Sequence, residues 1–424
     1  MIETERSFIC IDLKSFYASV ECVERGLDPF ETDLVVADPS RSKSTICLAI
    51  TPAMKKKGVK NRCRMHEIPP GMEFITARPR MQLYIDYSAW IYSIYLQFVA
   101  PEDIHVYSID ECFLDVSTYL ELYHWSAKEM ACELMKAVFR ETGITATAGV
   151  GSNLYLAKIA MDILAKHAED HIGVLDEYSY RKRLWNHRPM TDFWRIGSGT
   201  ERRLARYGLY TMGDVARASL TSEDFLWKQF GVDAELLIDH AWGVENCRME
   251  DIKKYTTRQH SLSNGQVLMR NYAYSEALVI MKEMTDNLTL DLVKKRLAAE
   301  SFTIWISYDH RFEMPHSGGT VNMGTATNSS KRIRDAVEQL YLAIVDRYTG
   351  IRRLGICANK VVAEGYLQYD LFSDPGEMDR ERSLQEAILH VHGRYGKNAI
   401  MRGSSLLDCS TYRERNMQIG GHWA

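Results

Sequence analysis

The sequence predicts an α+β multidomain chain, and three observations carry that prediction. Strand and helix signals alternate over the first 170 residues, and short glycine-punctuated helices follow to about residue 245. A strand–helix–strands–helix–strand order then fills residues 257–364. A chain of 424 residues is long enough for about three or four domains. With 46% hydrophobic and 25% charged residues it can build ordinary cores.

The elements follow in order. Phe8-Ile9-Cys10-Ile11 is an apolar strand ending at Asp12, and Leu13–Arg25 reads as helix up to Gly26. Leu34–Ala37 and Ile46–Ile50 are short strands around a Ser/Arg/Lys turn. Met81–Val99 is an aromatic-rich helix, and His105–Tyr107 with Cys112–Val116 read as a hairpin. Ala127, Met130, Ala131, Leu134 and Val138 mark an amphipathic helix, Thr145–Val150 a strand, and Asn153–Lys166 a helix. Gly197, Gly199, Gly208 and Gly231 punctuate the helical block, and Met249–Tyr255 reads as a linker. Later, Ala277, Ile280, Met284, Leu288 and Leu292 define one helix face, and Ile333, Val337, Leu340, Ile344 and Tyr348 another. Thr303–Tyr308 and Ile356–Ala363 are strands, and the residues after Gly365 are of mixed polarity.

The net charge of −4 gives no general footprint for nucleic acid, but its distribution does. Residues 38–80 carry ten Lys/Arg against three acids, a local excess of seven positive charges suited to phosphates or to a solvated basic face. Nine cysteines without a Cys-x-x-Cys pair indicate neither a disulfide framework nor a zinc site. The charged start, Met1 to Arg6, lacks the apolar core of a signal peptide, and no apolar run approaches the ~20 residues that span a bilayer. A cytoplasmic protein without membrane attachment is expected.

Ser108-Ile109-Asp110-Glu111 is the most informative stretch, because it sets two adjacent carboxylates at a hairpin tip. Alone, the doublet reads equally as a pair of turn residues. If the strand ending at Asp12 pairs beside the hairpin, three carboxylates converge, and such hard oxygen ligands suit Mg²⁺. Two Mg²⁺ ions about 3.5–4 Å apart are the usual device for phosphoryl transfer. Phe16 and Tyr17, about one helical turn beyond Asp12, are candidates to lie beside a nucleotide sugar or to be core aromatics.

Ile11-Asp12 with Phe16-Tyr17-Ala18-Ser19-Val20-Glu21, followed by Tyr107–Glu111, resembles the Y-family translesion DNA polymerases. The UmuC-like (UvrX-type) subgroup of Gram-positive bacteria and their mobile elements is the nearest. Gly58-Val59-Lys60, Gly149–Asn153 and Leu156–Ala160 match in family order, and the likeness runs over residues 5–365. It implies a right-hand-like polymerase. The palm would be residues 1–12 and 77–168, the short fingers 13–76 and the helical thumb, with helix-hairpin-helix turns, 169–245. A linker, 246–256, would lead to a βαββαβ-like little finger, 257–364, and a C-terminal tail, 365–424.

The resemblance further implies low-fidelity, template-directed DNA synthesis past damaged bases. Asp12, Asp110 and Glu111 would be catalytic and, with the Leu13 carbonyl, hold two Mg²⁺ ions. Tyr17 would be the gate against ribonucleotides, with Phe16 beside it. Lys158 and Lys55 would meet the triphosphate. Pro52 stands where the family usually has tyrosine, so that hydrogen bond is lost or supplied by Thr51. Ile196-Gly197-x-x-Thr200 resembles a helix-hairpin-helix turn, with Gly199 inside it and Arg195 in place of the usual first glycine. Arg258, Ser261, Ser263 and Arg270 would run along DNA from an edge strand. Gln368-Tyr369-Asp370-Leu371-Phe372 resembles a sliding-clamp-binding pentapeptide in which Gln368, Asp370, Leu371 and Phe372 make the contact.

The implied partners are primer–template DNA, deoxynucleoside triphosphates and a sliding clamp, with a RecA filament or a UmuD-like subunit as further candidates. The competing readings are a palm-like two-metal nucleotidyl cyclase or nuclease, and a catalytically dead DNA- or clamp-binding protein.

Overall fold

Strand β1 (Phe8–Leu13) is buried along nearly its whole length, which accounts for its unbroken apolar run. The structure, a computed structural model, describes residues 6–40, 44–256, 260–309, 311, 313–364 and 374–424. The chain divides into two units, Met1–Tyr255 and Thr256–Trp423. After β1 the first unit contains α1 (Phe16–Val23), β2 (Leu34–Val36), β3 (Ala49–Ile50), α2 (Pro52–Lys56), β4 (Ile75–Ala77) and α3 (Met81–Tyr95). Next come β5 (Ile104–Val106), β6 (Glu111–Asp115), α4 (Tyr119–Tyr123), α5 (Ala127–Thr142), β7 (Ala146–Gly151), α6 (Leu154–Ile159) and β8 (Ile172–Leu175). Helices α7 (Glu177–Leu184), α8 (Ser198–Ala205), α9 (Met212–Phe230), α10 (Asp233–Trp242) and α11 (Met249–Lys254) complete it.

Five strands form the main sheet in the order β5-β6-β1-β7-β8. Strand β1 is antiparallel to both β6 and β7, whereas β8 runs parallel to β7. The sheet region therefore extends past residue 168, where the sequence reading ends it. Strand β8 is four residues long with Gly173 inside, too short to stand out in the sequence.

The helix expected over Asn153–Lys166 also differs. It is α-helical over Leu154–Ile159, passes through a π turn at Ala160–Leu164 and ends in a 3₁₀ turn, Ala165–His167. Asn153 caps it by accepting the Leu156 N–H at 2.8 Å. The helix lies flush on β7 because two glycines leave room. A Cβ on Gly149 would sit 2.0 Å from the Ala157 carbonyl oxygen, and one on Gly151 2.2 Å from the Ala157 nitrogen.

The basic insertion makes its own small sheet, β3-β2-β4, around Val35, Ile50, Met54, Val59, Cys63 and Ile68. Helices α7 to α10 share a core with α6 through Tyr155, Tyr180, Phe193, Leu204 and Val215. Helix α9 bends where Ser222 leaves helical geometry (φ −148°, ψ 40°). The expected linker is instead partly helical: α11 buries Met249 in a cluster with Phe8, Cys10 and Phe113. Its charged residues hid the one apolar anchor.

In the second unit β9 (Ser261–Tyr272), α12 (Tyr274–Lys294), β10 (Leu297–Tyr308), β11 (Ser317–Thr327), α13 (Ser330–Ile344) and β12 (Ile351–Ala363) follow the βαββαβ order. The sheet order is β11-β10-β12-β9, antiparallel throughout. Ile280, Met284 and Leu288 of α12 and Ile333 and Val337 of α13 close the core against Phe302, Ile304 and Ile356. Tyr348 does not belong to that face: α13 ends at Ile344, and the ring is 95% exposed.

The residues from Asp374 onward are folded as α14 (Pro375–Tyr395), α15 (Tyr412–Asn416) and the hairpin β13 (Gln418–Ile419)–β14 (His422–Trp423). They bond to the βαββαβ part. Ser410 Oγ donates to Glu283 at 2.6 Å, and Arg382 forks onto Glu364 at 2.8 and 2.9 Å. All nine cysteines are free, and among the described residues no helix is long and apolar enough to cross a membrane.

Candidate active site

Asp12 faces Glu111 directly across the β1–β6 ladder. Backbone bonds fix the adjoining tip: the Leu13 N–H donates to the Asp110 carbonyl at 2.9 Å. The N–H groups of Tyr107 and Ser108 both donate to the Glu111 carbonyl, at 3.0 and 3.1 Å. Ser108 Oγ donates to Asp110 Oδ1 at 2.6 Å. Asp12 feels the other two acids. Burial first, then the charges of Asp110 and Glu111, push the Asp12 carboxyl up to about 7, with Lys158 opposing. Burial also raises the Glu111 carboxyl, again against Lys158. Mutual repulsion among hard oxygen donors is what a divalent cation relieves, so this donor set fits Mg²⁺ in kind.

Lys158 is neither solvent-facing nor free. It is 8% exposed, and its ammonium lies 2.9 and 3.0 Å from the two Glu111 oxygens and 3.0 Å from Asp162. Burial opposes its charge, but Asp162, Cys10 and Glu111 outweigh that and raise its pKa. Cys10 Sγ also donates to Glu111 Oε1, at 3.3 Å. Both Glu111 oxygens are thus bonded to Lys158. Among the described residues no three His, Cys, Asp or Glu side chains share a ligating arrangement. The backbone brings Asp12, Asp110 and Glu111 to one end of the β1–β6 pair. Sequence reasoning missed Cys10 and Asp162; the i, i+4 spacing of Lys158 and Asp162 was the available signal for the latter.

The nucleotide-side candidates separate. Ser15, with φ 49°, turns the chain from β1 into α1, after which Phe16 and Tyr17 point different ways. Phe16 is 2% exposed and is a core residue, so it is withdrawn as a nucleotide contact. Tyr17 is half-buried and stacks on Tyr84. Burial and then the Asp110 charge raise its phenol pKa. Thr51 is also withdrawn: it is fully buried, and its Oγ1 accepts the Leu34 N–H at 3.2 Å. Lys55 lies on the exposed side of α2, where partial desolvation lowers its pKa and the nearby Asp12 charge opposes that shift.

Further along, Gly197 precedes α8, while Gly199 and Thr200 lie in its exposed or half-exposed first turn. Arg195 adopts φ 69°, and its guanidinium sits 5.4 Å from the Trp194 ring. The Trp194 indole donates to the Tyr107 hydroxyl at 3.1 Å, tying this turn to the acidic hairpin. In the second unit Ser261 and Ser263 are exposed on the edge strand β9. Arg270 is committed locally, forking onto Glu276 at 2.9 and 2.7 Å and lying 4.0 Å from the Tyr272 ring. Arg258, Gln368, Asp370, Leu371 and Phe372 lie outside the described residues.

A sheet presenting clustered carboxylates, a small basic sheet, a helical block and a βαββαβ unit are together the parts of a palm-containing polymerase. The impB/mucB/samB family profile matches residues 11–162, and that of its C-terminal domain matches residues 259–371. DNA polymerase IV 2 of Bacillus subtilis (strain 168) is 30% identical, with 99% of each chain covered. A protein of the same organism named for UV-damage repair, UvrX, is 28% identical over 98% of this chain and 97% of its own length. A Y-family DNA polymerase chimera of known structure shares the fold, with a TM-score of 0.63 at 20% identity over 84% of this chain and 99% of that one. The chain belongs to the impB/mucB/samB family, and it is related over its whole length to a DNA polymerase IV.

Proposed function

We infer that the chain is a DNA-directed DNA polymerase that carries out low-fidelity, template-directed synthesis past damaged bases. The observation that carries this reading is Asp12 facing Glu111 across β1–β6, with Asp110 at the adjoining tip. In it, the 3′-hydroxyl of a primer attacks the α-phosphate of a deoxynucleoside triphosphate and pyrophosphate leaves. Asp12, Asp110, Glu111 and the Leu13 carbonyl would hold two Mg²⁺ ions, which when bound would supply the Lewis-acid chemistry of that transfer.

The five-stranded sheet is the palm of this reading, the β3-β2-β4 sheet the fingers, the helical block the thumb, and the βαββαβ part the little finger. Tyr17, braced by Tyr84, stands against a 2′-hydroxyl, and Lys55 and Lys158 meet the triphosphate. The fingers sheet is small, so it checks base-pair shape weakly, which admits damaged templates and lowers fidelity. Arg195, Gly197, Gly199 and Thr200 take duplex phosphates at the start of α8, and Ser261 and Ser263 take them along β9. Gln368–Phe372 engages a sliding clamp, and a RecA filament or UmuD-like subunit is a further partner.

Primer extension tests the core of this reading. Asp110→Ala abolishes synthesis while DNA binding persists, and synthesis at the parent rate would remove the assignment. Cleavage without extension by the parent chain would favour a nuclease.

A further inference from the structure

Three observations single out Asp162, a residue that the reading above does not use. First, Lys158 is held from two sides, with Glu111 at 2.9 Å and Asp162 at 3.0 Å. Second, the two carboxylates differ in setting: the Glu111 side chain is 9% exposed and is the one proposed above to hold metal, whereas that of Asp162 is 30% exposed. Third, Asp162 sits in the π turn Ala160–Leu164, a distortion common at functional sites, on a helix that Gly149 and Gly151 allow to lie flush on the sheet.

We propose that Asp162 is a positioning residue that retains the Lys158 ammonium once cations claim Glu111. The lysine that pairs with Glu111 is thereby delivered to the triphosphate of the incoming nucleotide. Cations at the Asp12–Asp110–Glu111 cluster repel the ammonium and compete for the Glu111 oxygens. Asp162, one helical turn along, continues to hold it. An ammonium has three donors, so a lysine kept by one carboxylate still has donors for phosphate oxygens. Lys158 thus acts as a resident counter-ion that yields its place to the metal.

The inference rests on the polymerase reading, and the test separates the two. Primer extension by the parent chain reads the polymerase; the variants read the lysine. Mn²⁺ binding is measured by titration calorimetry on the full chain without DNA or nucleotide. The KM and kcat for single-nucleotide insertion are measured separately. Asp162→Asn is expected to weaken Mn²⁺ binding and to raise the nucleotide KM, each by about tenfold, because the displaced lysine has lost its second partner. Asp162→Glu, which keeps the carboxylate, restores most of the KM. Lys158→Met is expected to tighten Mn²⁺ binding, since a competing cation has gone, while still raising KM. A merely structural role would not move Mn²⁺ affinity in opposite directions in the two variants. Unchanged Mn²⁺ binding and KM in Asp162→Asn would overturn the proposal, and that variant decides alone if Lys158→Met does not fold.

Discussion

Tyr17 stacks on Tyr84, with ring centroids 4.5 Å apart and 15° between the planes. The Tyr84 hydroxyl in turn donates to Glu21 Oε1 at 2.7 Å. The proposed sugar gate is therefore held by a second ring and a buried carboxylate. Tyr17→Ala should lower discrimination against ribonucleotides by at least about tenfold in single-nucleotide insertion. Tyr84→Ala should do the same more weakly, because it frees the Tyr17 ring without removing it. Discrimination that survives both changes would place the gate elsewhere.

Glu21 anchors this network. It is fully buried and accepts from Arg80 at 2.9 and 2.8 Å, from Tyr84 and from Arg25. Burial works against its charge, yet these bonds hold its carboxyl below the ordinary range. Glu21→Ala leaves the Tyr84 hydroxyl without its acceptor and takes the carboxylate from both guanidinium groups, although Arg25 keeps the residue 21 carbonyl and Arg80 keeps Glu24. Both arginines reach solvent in part, which limits the loss to about 2 kcal/mol. Urea unfolding of the parent and variant measures it, and a difference near zero would mean that the network adds nothing to stability.

Much of this arrangement was legible in the sequence. The run Phe8–Ile11 marked a buried strand, and the 3.6-residue period of α12 and α13 between alternating strands marked the βαββαβ unit. The Asp110-Glu111 doublet alone read equally as a pair of turn residues, and only its context, with the strand ending at Asp12, pointed to a site. What periodicity cannot carry is tertiary pairing. That Glu111 spends both oxygens on Lys158 depends on how closely α6 approaches the sheet, which two glycines decide in three dimensions. Residue type alone did not separate Phe16 from Tyr17; a helical step of about 100° sends Phe16 into the core and leaves Tyr17 half-buried. Thr51 stood as a substitute for the hydrogen bond that Pro52 cannot make, but its Oγ1 accepts the N–H of Leu34 in the neighbouring strand β2.

Arg270 offers a pH-dependent prediction. Bonds from Arg270 and the Ala273 N–H hold the Glu276 carboxyl down to about 2, against an ordinary value of 4.5. A depressed carboxylate stabilises the folded state above its ordinary pKa, and that contribution fades as pH falls from 4.5 toward about 2. Both side chains are partly exposed, so the pair contributes no more than about 1 kcal/mol. Glu276→Gln should lower the urea midpoint at pH 7 and match the parent near pH 2. Arg270→Ala should alter stability in the same way while leaving the salt dependence of DNA affinity unchanged. A shallower salt slope would return Arg270 to the DNA interface.

The close contact of α6 with β7 supplies the most demanding test of how the fold serves the site. A methyl group at Gly149 would lie 2.0 Å from the Ala157 carbonyl oxygen and 2.3 Å from the Met161 nitrogen. Both obstacles are backbone, so no side-chain rotation relieves the clash, and the helix itself has to lift. Overpacking of this kind costs about 1–3 kcal/mol, and rigid neighbours push Gly149→Ala toward the upper end. Lifting α6 also draws Lys158 away from Glu111, because both bonds are set by where the helix backbone rests. Gly149→Ala should therefore lose stability in thermal unfolding, and in the fraction that stays folded it should raise the nucleotide KM more than Leu134→Ala does. Leu134→Ala opens a cavity at a fully buried position of α5 in the same unit and removes no bond to Lys158, Tyr17 or Tyr84, so it serves as the control that separates general loosening from displacement of the lysine. Equal effects of the two variants on KM would mean that the seating of α6 matters for stability alone.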